Sequence, residues 1–427
     1  MAPLTESRFR VAGALRVPGD KSISHRALIF SALASGVSHV RGLLASADVR
    51  STAGALRSLG VRVPDLDASM EITGVGPQGL CTSERELDCG NSGTSVRLLA
   101  GVVAGSGITG RFVGDESLHQ RPMRRVQRPL EAMGARVELD AHGRLPMIVH
   151  GAPLVPVEWT NDTSSAQVKS CVLLAAFCAG VEATVREPAR SRDHTERMFA
   201  AHGVEVWVNE GAVLLFGGQS LSPLDLDVPG DPSSAAFFAA LAAVVPQGEL
   251  LLERVCVNET RTGFLAALAE MGASVELEDR VMRSGEWTAN VRIAAGTELR
   301  GVTIGKDAIS TLIDELPLLA CLAAYAEGET RVSGAEELRV KESDRISAVV
   351  SNLQALGAQA EELPDGFVIT GTRPRLRGTV VTRGDHRLAM AFGILAALPG
   401  NEIAIDDRDC VAVSYPGFWD DLRHVTS

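Results

Sequence analysis

Only two tyrosines occur in the chain, and aromatic residues make up 4% of its 427 positions. A core with so few rings has to be built from Ala, Leu and Val, with the 42 glycines allowing close approaches and turns. Cysteine is sparse too. The seven residues, Cys81, Cys89, Cys171, Cys178, Cys256, Cys321 and Cys410, are odd in number and contain no CxxC pair. That argues against a disulfide framework or a zinc site, and since most lie in apolar runs we read them as buried reduced thiols. Long apolar runs are missing as well. Cys171–Ala179 and Phe237–Val245 reach about half of the ~20 residues needed to cross a bilayer. The segment from Met1 to Arg16 carries Glu6, Arg8, Arg10 and Arg16 and lacks a signal-peptide core. There is also no basic surplus: 41 Lys and Arg face 53 Asp and Glu, a net charge of -12. Nucleic-acid and membrane partners are therefore not expected, and a soluble cytoplasmic protein is. At 45% hydrophobic and 22% charged residues the composition is globular, which excludes a disordered chain. The length suggests about two to four domains.

What the chain does have is a repeat. A polar turn, an apolar helix-like run and a glycine recur, ending at Gly36, Gly105, Gly180, Gly248, Gly328 and Gly400. The spacings are 69, 75, 68, 80 and 72, so six units of about 71 residues fill the sequence. A second motif lies between these runs, as LRSLGVRV around Gly60, LEAMGARV around Gly134, MFAAHGVEV around Gly203, LAEMGASV around Gly272 and LQALGAQA around Gly357. It reads as a helix, a capping glycine and a strand. GFWDDLRHV near the C-terminus supplies a sixth helix without its strand, and the N-terminal RFRVAGALRV is a strand with no helix of its own, available to complete that last unit. VPGD at Val17 returns 211 residues later at Val228. Two similar domains of three units follow, crossing over near the VPGD segments: 20–228, and a discontinuous domain of 1–19 plus 229–427.

The starts of the six helices differ, and chemistry is sought there, because a helix N-terminus carries unpaired N–H groups and the positive end of the dipole. The first helix begins with Lys21 and Ser22, followed by Arg26. Positive side chains there oppose the dipole, so they are either solvated surface or cations converging on an anionic ligand. The second begins Gly90-Asn91-Ser92-Gly93-Thr94, where glycine lets the backbone approach a ligand. Ser164, Ser165 and Gln167 open the third with hydroxyls and an amide, which serve equally as caps or as partners of phosphate and sugar-like hydroxyls. Asp231-Pro232-Ser233-Ser234 carries no positive charge and reads as structural. Asp314 and Glu315 open the fifth as dipole partners or as a general base, and Asp385-His386-Arg387 opens the sixth. Two loops add charge: Arg121, Arg124 and Arg125 form a basic run, and Lys341 and Arg345 stand four apart, the spacing of one helix face, beside Glu342.

Together VPGDKSISHRAL, GNSGTSVRL, RPMRRV, SAQVKS, IDELPLLA, EELRVKESDRI and GDHRLAMAF give a specific pattern along the whole length. In these segments the chain resembles the 5-enolpyruvylshikimate-3-phosphate synthase family of enolpyruvyl transferases. The resemblance implies an α/β fold of two similar domains, each of three βαβαββ units in an inside-out α/β barrel, with six internal repeats. It implies transfer of the enolpyruvyl group of phosphoenolpyruvate to the 5-hydroxyl of shikimate 3-phosphate, by addition and elimination through a tetrahedral intermediate, with release of phosphate. That is a step towards chorismate and the aromatic amino acids. No metal and no organic cofactor is implied. Carried over by position, Lys21, Ser22 and Arg26 meet shikimate 3-phosphate, Lys21 also reaching phosphoenolpyruvate. Ser165 and Gln167 contact the shikimate part, with Gln167 shared between the substrates. Gly93, Arg121, Arg345 and Arg387 match the phosphoenolpyruvate side, where arginine forks suit phosphate and carboxylate. Asp314 accepts the 5-hydroxyl proton, Lys341 contacts shikimate 3-phosphate nearby, and Glu342 moves a proton at the methylene carbon, with Lys21 as its competitor.

The chain departs from the family pattern in three places. Many members carry a Lys where this chain has Val413, and some have two serines where it has Ser165-Ala166. Ser191-Arg192-Asp193-His194-Thr195-Glu196 is the form of a sub-group, in which Arg192 serves the shikimate phosphate. Gly93 leaves room beside the donor site, so inhibition by glyphosate, a phosphonate analogue of phosphoenolpyruvate, is expected. The related UDP-N-acetylglucosamine enolpyruvyl transferases use a reactive loop Cys and a Lys-Asn pair. Here the loop Gly114–Arg128 has no Cys and the pair is Lys21-Ser22. A non-catalytic binding protein on this fold is the other alternative. A monomer is the default.

Overall fold

The computed structural model describes residues 9–209, 211–296 and 298–426. Glu6 and Arg8 of the N-terminal segment thus lie outside the described residues. The chain divides into two compact units. One comprises the segment up to Pro18 with Pro229–Val281 and the chain from Trp287 onward; the other is Gly19–Val228 with Met282–Glu286.

Each unit is built on three helices with almost no polar face. In the second unit these are Lys21–Leu33, Gly93–Gly105 and Ala166–Ala179; in the first they are Pro232–Val244, Leu316–Ala323 and His386–Ala397. Ile23–Leu33 is buried throughout, as are Pro232–Ala243 and Leu316–Ala323. A helix that is apolar all round belongs inside, and small side chains let such helices pack closely. A Cβ at Gly101 would lie only 2.1 Å from the Cys171 carbonyl oxygen, so glycine is required there for the second and third helices to meet. Some of the few rings pack together within each unit: Phe30, Phe177 and Phe199 in one, and Phe237, Phe238, Tyr415 and Phe418 in the other. Five of the seven thiols are buried, whereas Cys81 is exposed and Cys410 half-buried.

Six small sheets lie outside these helices, four of four strands, one of three and one of two among the described residues. None closes on itself, so the inside-out arrangement consists of separate open sheets over buried helices. The four-stranded sheets share one pattern. In one, Leu87–Asp88 runs parallel to Thr109–Val113, which pairs antiparallel with Met147–His150, which in turn pairs with Arg136–Glu138. The five glycines of the second motif all have φ between +89° and +104°, the turn from helix to strand that side chains disfavour.

Four expectations change. The N-terminal strand does not complete the last unit. Val11–Leu15 is the parallel edge of the sheet containing Gly248–Cys256, and Asp225–Asp227 plays the same part beside Ser35–Arg41. First strands are therefore exchanged at the VPGD segments, and the last sheet keeps only Arg377–Val380 and Glu402–Ile405. No regular strand follows Gly60: Arg62 makes a single bridge to Thr73 before Pro64 ends the pairing. Lys341 and Arg345 do not share a helix face. The Asp344 side chain accepts the Ser347 N–H at 3.0 Å and starts a helix at Arg345, leaving Lys341 in extended backbone. Asp314 lies in a 3-10 turn, Ile313–Glu315, ahead of the helix it was expected to open.

Candidate functional site

In the unit Gly19–Val228, Asp20 caps the first helix by accepting the Ile23 N–H at 2.7 Å, which fixes Lys21 in the first turn. The Lys21 ammonium lies 3.0 Å from Asp48 Oδ2, and the Asp48 side chain is only 7% exposed. Arg26 is buried one turn further on. Its Nε donates to Thr195 Oγ1 at 2.7 Å, Nη2 to Ser170 Oγ at 2.7 Å, and Nη1 to the Ser22 carbonyl at 3.0 Å. These three partners are neutral, so the hydrogen bonds themselves orient the guanidinium without pairing it to a carboxylate. Burial pulls Arg26 down to about 10; Glu196 and Asp20 oppose the fall and Arg192 adds to it. Arg26 is therefore still a cation at neutral pH. His25, between them, is held well below the usual imidazole range by burial, with Lys21 and Arg26 pushing the same way.

A row of hydroxyls joins this helix to its neighbours. His25 Nδ1 lies 2.7 Å from Thr52 Oγ1, Thr52 Oγ1 lies 2.6 Å from Ser95 Oγ, and Ser95 Oγ donates to Ser92 Oγ at 2.8 Å. Ser92 caps the helix that Gly93 begins. A Cβ at Gly93 would lie 3.1 Å from Nη1 of both Arg121 and Arg97. Arg121 is buried and donates to Asn91 Oδ1 at 2.8 Å. Gln167 donates to Thr94 Oγ1 at 2.9 Å and accepts from Arg97. Ser165, at the cap position of the third helix, makes no capping bond with its side chain. Lys21, Ser22, Gly93, Ser165 and Gln167 thus stand at the starts of three helices, with Arg26 a turn into the first and Arg121 reaching Gly93 from the segment between Glu116–His119 and Arg124–Ala132. Arg192 stands close enough to Arg26 to repel it.

In the other unit, three cations converge on Asp314. Arg345 Nη1 is 3.4 Å and Lys341 Nζ 3.9 Å from Oδ1, Arg387 Nη2 is 3.6 Å from Oδ2, and Arg387 Nη1 donates to the Asp314 carbonyl at 3.2 Å. Arg345 also contacts Glu342 at 2.6 Å and Asp385 at 2.8 Å. Burial alone would weaken its charge, but Asp385, Glu342 and Asp314 outweigh burial and raise its pKa. Lys341 moves the other way: burial lowers it, and Asp314 restores only part of the loss.

Several residues of this setting carried no assignment in the sequence. Asp48 stands in the first turn of the helix Ala47–Ser58, a setting shared by ordinary dipole partners. Arg97 stands four residues after Gly93, and that helical spacing was the signal available for it. Asp385 was named only as part of the segment that opens the sixth helix. Asp231-Pro232-Ser233-Ser234, read as structural, receives Arg261 at 3.2 Å from Asp231 Oδ1 and 2.9 Å from Ser233 Oγ, and Ser233 donates to Glu315. Among the described residues, no group of three or more His, Cys, Asp or Glu is arranged to hold a metal, and no helix is long and apolar enough to cross a membrane.

Buried apolar helices under small open sheets, repeated in both units, define the class: an α/β protein of two similar halves. Comparison with known proteins makes this specific. The family described as EPSP synthase (3-phosphoshikimate 1-carboxyvinyltransferase) matches residues 5–422. The chain is 44% identical over 422 residues to the 3-phosphoshikimate 1-carboxyvinyltransferase of Persephonella marina, covering 98% of each chain. It is 47% identical over 408 residues to that of Xanthomonas euvesicatoria, covering 95% of this chain and 92% of the other. A solved EPSP synthase from Acinetobacter baumannii superposes with a TM-score of 0.85 at 37% identity, covering 98% of this chain and 96% of that one. The chain belongs to the EPSP synthase family, and it is an enzyme of the shikimate pathway.

Proposed function

We propose that the chain transfers the enolpyruvyl group of phosphoenolpyruvate to the 5-hydroxyl of shikimate 3-phosphate, releasing phosphate. In this reading Lys21, Ser22, Arg26, Ser165, Gln167, Arg192 and Lys341 hold shikimate 3-phosphate. Lys21, Gly93, Arg121, Gln167, Arg345 and Arg387 hold phosphoenolpyruvate. Asp314 takes the proton of the 5-hydroxyl as that oxygen attacks the enol carbon, and also contacts shikimate 3-phosphate. Glu342 or Lys21 moves the proton at the methylene carbon. Fixed cations near both substrates offset the repulsion between two phosphates and two carboxylates and stabilise charge in the transition state. The observation that carries the reading is the meeting of Lys341, Arg345 and Arg387 at Asp314, since a carboxylate among three cations suits a base that works beside anionic substrates.

Gly93 gives glyphosate the same access as phosphoenolpyruvate, so it is read as an inhibitor. A cytoplasmic monomer of 45.1 kDa is the expected form, and sedimentation tests the monomer. The decisive experiment is phosphate release with both substrates, comparing wild type with Asp314→Ala. We expect release to require both substrates. In the variant, kcat should fall about 10²- to 10⁴-fold with only a modest loss of shikimate 3-phosphate binding. Unchanged turnover would remove Asp314 from this role. Calorimetric binding of shikimate 3-phosphate by wild type without turnover would point to a binding protein instead.

A further inference from the structure

Beneath Arg26 and Arg192 lies an ion cluster with no part in the reaction described above. Lys169, 1% exposed, points its ammonium between two carboxylates, 2.8 Å from Glu187 Oε2 and 2.8 Å from Glu196 Oε1. Burial works against the Lys169 charge, yet Glu196 and Glu187 more than compensate and raise its pKa. Burial also raises Glu196, and Lys169 offsets only part of that rise. A buried charge with no compensation is costly, so a buried cluster survives only where its charges balance. Here the balance includes Arg26. Glu196 is the largest charge supporting the Arg26 cation, ahead of Asp20, and the side chains of Lys169, Arg26, Glu187 and Glu196 are all buried.

Both carboxylates reach the elements that present the guanidinium groups. Glu187 accepts from the Ser191 backbone N–H at 3.3 Å and from its hydroxyl at 2.8 Å, which fixes the residue next to Arg192. It also accepts from Asn161 Nδ2 at 2.8 Å, and the same nitrogen donates to the Ser165 carbonyl at 2.9 Å. Glu196 follows Thr195, the hydroxyl that holds Arg26 Nε, and is the strongest charge opposing the loss of the Arg26 proton. Ser170, which holds Arg26 Nη2, follows Lys169 in the chain.

We propose that the Lys169–Glu187–Glu196 cluster is the positioning device for Arg26 and Arg192, holding two mutually repelling guanidinium groups where a substrate phosphate can take both. The inference rests on the reading of shikimate 3-phosphate as the ligand of that pair. Without the ammonium, the Glu196 carboxylate would compete for Arg26 and draw it away from Thr195 and Ser170. Lys169 is thus a positioning residue that need not touch substrate.

The test is calorimetric binding of shikimate 3-phosphate by the full chain, together with the KM for each substrate, in Lys169→Met, Lys169→Arg and the double variant Lys169→Met/Glu196→Gln. In Lys169→Met we expect affinity for shikimate 3-phosphate to fall about 10- to 100-fold, the weight of one charged hydrogen bond. The KM for phosphoenolpyruvate should stay within about twofold. The double variant removes one negative charge with the positive one and should recover most of the loss, and Lys169→Arg should retain most of the affinity. An equal loss for both substrates, or a folded double variant no better than the single one, would mean a merely structural role and overturn the proposal. If Lys169→Met does not fold, the double variant decides by the same measure: near wild-type affinity supports the proposal, and a loss of tenfold or more overturns it. A wild-type chain that binds no shikimate 3-phosphate overturns the substrate reading and the inference with it. A wild type that binds it no better than Lys169→Met overturns the inference alone.

Discussion

Arg345 grips Asp385 at two points, Nε at 2.8 Å from Oδ2 and Nη2 at 3.2 Å from Oδ1, with neither side chain more than 1% exposed. The same carboxylate caps the helix His386–Ala397 by accepting the Arg387 N–H at 3.0 Å, and it accepts the Ser343 hydroxyl at 3.0 Å. One buried acid therefore sets the direction of Arg345, starts the helix that carries Arg387, and ties down the loop carrying Lys341 and Glu342.

Replacing Asp385→Asn should destabilise the fold by about 3–5 kcal/mol, because a buried guanidinium loses its main partner. Urea unfolding near neutral pH measures this. Burial pushes the Asp385 carboxyl up, but Arg345 outweighs burial and holds it below its ordinary value. As acid is added, the unfolded chain takes up this proton first. The stabilisation is therefore complete above about pH 4 and is lost as pH falls through the folded-state value. The gap between wild type and variant should narrow below about pH 4, and a gap unchanged down to pH 2 would contradict the assignment.

Asp48→Ala frees the Lys21 ammonium from a carboxylate 3.0 Å away. We expect kcat/KM to fall about 10- to 100-fold, the scale of one charge-assisted hydrogen bond. Steady-state kinetics with each substrate varied in turn would show it. Activity within twofold of wild type would mean that Lys21 needs no anchor.

Gly93→Ala places a methyl group 3.1 Å from two guanidinium nitrogens, those of Arg121 and Arg97. The guanidinium groups must yield by a few tenths of an ångström. The KM for phosphoenolpyruvate and the inhibition constant for glyphosate should both rise, glyphosate's by about tenfold or more, while binding of shikimate 3-phosphate stays near wild type. Inhibition titrations at limiting phosphoenolpyruvate would settle it.

Gly357→Ala separates backbone strain from crowding. Gly357 has φ +100°, and a Cβ there meets nothing within 4 Å. The substitution should cost about 1–2 kcal/mol through the backbone alone, seen as a lower melting temperature with kcat unchanged. A variant as stable as wild type would show that this turn tolerates a side chain.

Much of this was legible in the chain itself. Local signals placed most of the helices, and Asp20, Ser92, Asp231, Asp344 and Asp385 each cap one by accepting a backbone N–H. The glycines after the second helices take the positive φ that their spacing implied. Lys21, Gly93, Arg121, Gln167, Asp314, Lys341, Arg345 and Arg387 were all named from helix starts and motif resemblance. The helix face assumed for Lys341 and Arg345 failed because a capping Asp between them outranks spacing as a local signal.

Sequence alone determined what depends on neighbours in the chain, namely six repeats, buried helices rich in small residues, and cations at their starts. It also determined the family, because many short motifs in one order are specific together. Only the tertiary structure decided the rest. It chose the sheet that each first strand joins, exchanging Val11–Leu15 and Asp225–Asp227 at the crossovers. It also chose the partners of each charge: Asp48 for Lys21, Asp385 for Arg345, and Glu187 with Glu196 for Lys169. Strand pairs and buried ion pairs join residues up to hundreds of positions apart, and their energies come from burial and geometry that no local pattern of residues records.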